Sequence, residues 1–344
     1  MGLMKLIISA FLLLQWSWGQ VNFTPSWVVD FRQRRPSDDY IMAPYDIIFD
    51  STKGAVMPKM YRSPIFFKHA SHQKIDLSGF NDLQISGSGQ YSWLELKELV
   101  THIHENHKIP YNKIYIFDFR EEPHAFINDA AVSWFYGPLH IQQNKSPQEV
   151  IESELKRVNQ VRAFPTVLIN TIEKSADGMP SAKETGIYQV DIVMREQEAV
   201  KSLGVNYVRL PVTDHFRPEE RDIDDFLAVI KELPAGSWLH FKCRGGKGRT
   251  TTFMTIFDII QNPKVDFEEI LARQKAIGGT DFATVRPKIG QAWKQRYAND
   301  RAKLIQVFYE YRHADDGWDK MKFSDWVKKH VQYLGYLGDR YDIE

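Results

Sequence analysis

Residues His240-Phe241-Lys242-Cys243-Arg244-Gly245-Gly246-Lys247-Gly248-Arg249-Thr250 contain the one cysteine of the 344-residue chain, separated by five residues from an arginine. Ser237 to Phe241 reads as a buried strand and Thr250 to about Gln261 as a helix, so Cys243 opens a loop with three glycines between them. Such a loop turns the backbone N–H groups of Arg244, Gly245, Gly246, Lys247 and Gly248 toward one point, and glycine lets them converge without a steric penalty. A phosphate group suits that cradle. The same field favours the thiolate, which can attack phosphorus. Arg249 can grip two equatorial oxygens of the transferring group, and the Thr250 hydroxyl can donate to the sulfur as it leaves. A buried structural cysteine beside a glycine turn is the competing reading. Strand, glycines, arginine, hydroxyl residue and helix arriving in this order favour a nucleophile.

A thiolate mechanism needs a general acid for the leaving oxygen. Thr213-Asp214-His215-Phe216-Arg217-Pro218 lies about thirty residues earlier, on a proline-bearing loop after a strand over Val205 to Leu210, and makes Asp214 the candidate. Asp222, Asp224 and Asp225 are alternatives, but they open the next helix, where carboxylates are favoured anyway. Lys242 immediately precedes the cysteine; it either adds positive charge around the pocket or is turned outward by strand alternation.

The elements that must position these residues alternate. Ser92 caps a helix over Trp93 to His107 with Leu94, Leu96, Leu99 and Ile103 at helical spacing. Ile114 to Phe119 reads as a strand. Ser146-Pro147-Gln148-Glu149 starts a second helix with cap, N1 proline and N3 glutamate. Thr166 to Asn170 reads as a strand, Arg195 to Leu203 as a helix closed by Gly204, and Ile223 to Leu233 as a helix. Trp238 to Phe241 delivers the cysteine. One long helix is expected from Pro287 to about Tyr311, with Ile289, Trp293, Tyr297, Leu304 and Phe308 on one face and Gln291, Lys294, Ala298 and Arg301 along another. Alternating strands and helices imply an α/β fold whose mostly parallel central sheet is flanked by helices, with the active loop at the carboxyl end of its strand.

With 44 basic and 44 acidic residues the formal net charge is zero, so no whole-molecule field favours nucleic acid or anionic membranes. Lys5, the apolar run Leu6 to Leu14 and Ser17-Trp18-Gly19 read as a signal peptide over 1–19, which implies export to the periplasm or beyond. That run is too short to span a bilayer, and no stable membrane anchor is expected. A single cysteine allows no intramolecular disulfide. An extended segment is expected over 20–56 and the catalytic domain over 57–344.

Asp118-Phe119-Arg120-Glu121-Glu122-Pro123-His124, Ser86-Gly87-Ser88-Gly89-Gln90-Tyr91-Ser92, Thr213-Asp214-His215, His240-Phe241-Lys242-Cys243 and Arg273-Gln274-Lys275-Ala276-Ile277-Gly278-Gly279 together resemble the bacterial protein-tyrosine-phosphatase-like phytases, from about Met57 to about Gly335. The resemblance implies a phosphatase core with a small β-rich, partial-barrel region. It also implies stepwise hydrolysis of myo-inositol polyphosphates through a phosphocysteine, with no metal or other cofactor. Arg62 resembles the family's N-terminal basic contact. A ligand with many phosphates needs cations beyond one cradle; Lys242, Arg244, Lys247, Lys294, Arg301 and Arg62 are expected to supply that rim, with His215 as a further substrate-binding residue. Arg120 and His124 match the family pattern, and an internal ion pair would explain them equally. The chain departs from the pattern at Arg244, where the family has glutamate or a similar residue, and near Leu139, where an aspartate is replaced. The alternatives are a phosphatase acting on tyrosine phosphopeptides and a pseudophosphatase that only binds phosphorylated ligands. Oligomeric state is not legible.

Overall fold

The cysteine is delivered by a strand that lies between two parallel neighbours, so both its faces are covered. The protein is seen here as a computed structural model that describes residues 46–65, 67, 75–135, 146–176, 180–285 and 292–330. The expected leader, most of the N-terminal segment and Leu139 lie outside these residues. In chain order the strands are β1 (Asp46–Ser51), β2 (Ile85–Ser88), β3 (Ile114–Arg120), β4 (His124–Ile127), β5 (Ala130–Phe135), β6 (Thr166–Lys174), β7 (Pro180–Gln189), β8 (Val193–Arg195), β9 (Asn206–Val212) and β10 (Trp238–Lys242). The helices are α1 (Trp93–His107), α2 (Pro147–Arg162), α3 (Glu196–Ser202), α4 (Glu220–Lys231), α5 (Gly248–Gln261), α6 (Phe267–Ala276), α7 (Gln295–His313) and α8 (Phe323–His330).

Four strands form the expected parallel sheet in the order β2-β10-β3-β9. Lys242 pairs with Ser88 on one side and Asp118 on the other, which brings the carboxyl ends of three strands together at the cysteine. Side chains alternate between the two faces of a strand. Leu239 and Phe241 enter the core shared with α4, α5, α6, α7 and α8, while Trp238 packs with Leu96, Leu99 and Ile103 of α1 and Ala199 and Val200 of α3. His240 and Lys242 share the alternation of Trp238, and both are fully buried. A sheet covered on both faces offers Lys242 no outward direction, and neither alternative read from the sequence describes it.

The β-rich region is larger than expected. It is a six-stranded sheet in the order β7-β6-β1-β5-β4-β8, antiparallel except where β1 meets β6. Thr166 to Asn170 belongs to this sheet, as the start of β6, and not to the parallel one. β1 lies inside the segment read as an extended entry, so from Asp46 onward that segment is part of the folded unit.

Local signals mark both long N-terminal helices. Ser92 and Glu95 form a capping box on α1, and Ser146 and Glu149 form one on α2 with Pro147 in the first turn. The long helix expected from Pro287 is shorter: a 3₁₀ turn over Ala292–Lys294 precedes α7. Residues 286–291 lie outside the described ones. Among the described residues no helix is long and apolar enough to cross a membrane.

Candidate active site

Cys243 follows the last residue of β10, and its side chain is buried at the floor of the loop that leads into α5. Gly246 sets the path of that loop. Its φ is +68°, and a Cβ there would lie 2.4 Å from Gly89 N and 2.6 Å from the Ser88 carbonyl carbon, both rigid backbone. Arg62 holds the loop from one flank, donating from Nη1 to Gly246 O at 2.7 Å and from Nη2 to Thr251 Oγ1 at 3.0 Å. The Arg301 guanidinium packs against Gly248 and donates from Nη1 to His215 O.

The Thr250 hydroxyl donates to Cys243 Sγ at 3.2 Å. Burial alone would push the thiol pKa up, but the Arg249 cation and the Thr250 hydrogen bonds outweigh it and bring the pKa below its ordinary value. Arg249 is itself held from below. Glu122 accepts from Nη1 at 2.8 Å and Nη2 at 3.0 Å, and the Val212 and Phe119 carbonyls accept from Nη1. Its Nε is buried and has no hydrogen-bond partner among the described residues. A buried guanidinium with a spare donor fits an anionic oxygen arriving at the loop.

Asp214 reaches the same guanidinium, accepting from Arg249 Nη2 at 2.9 Å. It also accepts from the His215 N–H at 2.9 Å, which turns the carboxylate toward the loop. Of the alternative acids, Asp222 accepts from Glu219 N at 2.8 Å as part of a helix cap, and Asp224 accepts from Ser324 N. Both are committed away from the cysteine. His215 has a φ of +68° and meets the Trp293 ring edge-on at 5.1 Å. Burial lowers its imidazole pKa to about 4, against the pull of Asp214, so the ring is neutral at pH 7.

The expected basic rim resolves into three groups. Lys247 is exposed at the mouth beside the exposed loop residue Gly245, and Lys294 lies over the Trp293 ring with its Nζ 4.9 Å from the centroid. Arg62 and Arg301 are buried against the loop, where desolvation lowers each guanidinium to about 10. They line the cradle and are not a solvated stripe; the 3₁₀ turn also breaks the helical register that the sequence suggested between Lys294 and Arg301. Lys242 is a correction. Its ammonium lies beneath the loop, 2.6 Å from Glu196, 2.9 Å from Gln90 and 3.0 Å from Asp118. Asp118, His124 and Glu196 place three metal-capable atoms within 4.8 Å of one another, and the lysine supplies the cation among them. Arg244, half-buried, is paired with Asp50 at 2.6 Å.

Sequence reasoning missed Asp50, Glu122 as the partner of Arg249, and Lys59, whose Nζ donates to the Asp50 carbonyl. Glu122 lies inside a motif that carried the resemblance, and its position two residues after Arg120 was the available signal. Arg120 does form an internal ion pair, with Glu122 and Asp50, and His124 lies 2.9 Å from Asp118. Nothing in the sequence around Asp50 pointed to the site.

Residues 117–261 match the family model of the PTP-like phytases, whose description is inositol hexakisphosphate. Among solved structures, the PTP-like myo-inositol phosphatase from Mitsuokella multacida, in complex with myo-inositol-(1,3,4,5)-tetrakisphosphate, is 27% identical with a TM-score of 0.74. That match covers 84% of this chain and 49% of the other. A PTP-like phytase from Bdellovibrio bacteriovorus is 29% identical with a TM-score of 0.61, over 87% of this chain and all of the other. Effector protein hopD2 of Pseudomonas syringae pv. tomato is 25% identical over 262 residues, 74% of this chain and 53% of that protein. The chain thus spans about half the length of the first relatives it matches. The matched core, its parallel sheet and the strand, loop and helix that carry Cys243 agree with one another, and in all of them the chain is similar to the protein-tyrosine-phosphatase-like phytases.

Proposed function

We propose that the protein hydrolyses phosphomonoesters of myo-inositol polyphosphates through a phosphocysteine. The observation that carries this reading is the floor of the loop, where a thiol of lowered pKa meets the Thr250 hydroxyl and the Arg249 cation carries Asp214. The Cys243 thiolate attacks phosphorus, forming the P–S bond as the ester P–O bond breaks. Arg249 and the loop N–H groups hold the equatorial oxygens, an arrangement that stabilises charge where it develops. The incoming phosphate competes with Asp214 for the Arg249 fork. A protonated Asp214 donates to the leaving oxygen, then as carboxylate takes a proton from the water that attacks phosphorus. The P–S bond breaks, and Thr250 stabilises the returning thiolate.

A polyphosphorylated ring is favoured over a phosphotyrosine peptide by the cations gathered around one cradle: Arg62 and Arg301 within it, Lys247 and Lys294 at its mouth. The likeness to a phosphatase solved with an inositol tetrakisphosphate supports the same substrate class. Replacing Cys243→Ser should reduce turnover of inositol hexakisphosphate to background while binding persists. Comparing inositol hexakisphosphate with a phosphotyrosine peptide, each with and without a chelator, tests the remainder. Preferential release from the peptide would overturn the substrate, release from neither would leave a binding protein, and sensitivity to the chelator would count against the thiol mechanism.

A further inference from the structure

Asp50 stands on β1, in a stretch where the sequence pointed only to an extended entry, yet its side chain is buried beneath the cysteine loop. Oδ1 accepts from Arg244 Nε at 2.6 Å; Oδ2 accepts from Arg120 Nη1 at 2.9 Å and from the Ser133 hydroxyl. Burial opposes its ionisation, but Arg120, Arg244 and Lys59 together hold the carboxyl well below the usual range. Arg120 continues through Nε to Glu122 at 2.9 Å, and Glu122 takes both Nη atoms of Arg249. Arg244 and Arg249 therefore bracket the loop and are joined beneath it by one unbroken series of charged partners: Arg244, Asp50, Arg120, Glu122, Arg249. A second tie runs alongside. Gln90 accepts from Arg120 Nη1 at 2.5 Å through its side chain, while its backbone N–H donates to Arg244 O at 3.0 Å.

We propose that Asp50 is a positioning residue for the nucleophile loop, acting through Arg244 and Arg120, so that the six-stranded sheet is part of the catalytic apparatus. The proposal rests on the reading of Cys243 as the nucleophile. It makes the Arg244 side chain a strut that sets the first N–H of the cradle, in place of the substrate contact the sequence suggested. Loop N–H groups help a thiolate only when they converge on it. Small misplacements of such groups cost rate far more than binding.

The test is the pH dependence of Cys243 alkylation by iodoacetamide, measured beside steady-state hydrolysis of inositol hexakisphosphate. Removing the negative charge in Asp50→Asn would by simple electrostatics lower the thiol pKa. Loss of loop geometry raises it. The expected result is an alkylation midpoint about one pH unit higher, with kcat down about tenfold or more and KM moved by less than about threefold. Arg244→Lys keeps the charge but loses Nε, and should shift midpoint and kcat in the same directions by smaller amounts. A lowered midpoint in Asp50→Asn, or a raised KM with an unchanged midpoint in Arg244→Lys, overturns the proposal. If Asp50→Asn does not fold, as judged by circular dichroism, the less buried Arg244→Lys decides alone by the same two readouts. Alkylation needs no substrate, so absence of inositol phosphate turnover in the parent would sink the substrate reading and leave this proposal to the midpoint.

Discussion

Two side chains near the cysteine carry charges that the sequence could identify but not orient. Asp214 follows a strand and precedes a proline, which a linear reading can see; that Arg249 Nη2 aims at its carboxylate beside the neighbouring His215 N–H depends on two segments that the fold brings together. Its assigned role predicts a leaving-group effect. Asp214→Asn should lower kcat on inositol hexakisphosphate by about 10²-fold or more, while p-nitrophenyl phosphate, whose phenolate leaves without a proton, should lose much less. Equal losses on the two substrates would remove Asp214 from the acid's role. Lys242 shows the opposite case. A lysine beside a nucleophile looks like added positive charge for an anionic substrate, yet its ammonium is consumed by Glu196 and Asp118. Sequence adjacency along a strand says little about spatial adjacency, because successive side chains point to opposite faces.

At the scale of elements, the strand, loop and helix around Cys243 were legible because each has a local cause: an apolar run, convergent glycines, and a helix entered directly from the loop. The capping boxes of α1 and α2 were legible for the same reason, since cap and partner are three residues apart. β1, β4, β5 and β7 were not: β1 pairs with strands far along the chain, while β4, β5 and β7 form hairpins with their sequence neighbours from residues that show no strict apolar–polar alternation. Glycine identity within the loop carries a sharp prediction. Gly246→Ala would place a Cβ against the Gly89 and Ser88 backbone at a φ of +68°, so the cradle must open. Activity should fall by about 10²-fold or more and the thermal midpoint should drop, whereas Gly245→Ala, with no heavy atom within 4 Å of the new Cβ, should retain its fold. A Gly246→Ala variant with parental kcat would show that the loop tolerates another path.

The whole molecule joins a parallel sheet to a larger mixed one through buried charge, and that junction sets a pH limit. His240 is fully buried between the Ser86 and Ser88 hydroxyls; burial first, then Lys242, lowers its pKa from 6.5 to about 3. The unfolded chain takes up that proton as pH falls through 6.5 while the native protein does not, so this stabilisation is complete above 6.5 and is lost between there and about 3. Glu196 adds to the loss lower down. Burial opposes its ionisation, but Lys242 and His124 hold it near 2, so its contribution is present above 4.5 and disappears as pH falls toward 2. The expected consequence is a loss on the order of a few kcal/mol from pH 7 to pH 4, read as a falling thermal midpoint and flattened in His240→Gln. A midpoint constant across that interval would show that the junction does not titrate as described. The sequence by itself determined the candidate nucleophile, the arginine beside it, a candidate acid on a preceding loop and a parallel sheet to present them, because each is written in neighbouring residues. Tertiary structure alone decided which cations face the cradle and which are spent beneath it, and it alone brought Asp50 of β1 to Arg244. Those choices depend on charge pairing between residues up to 194 positions apart, which no local pattern encodes.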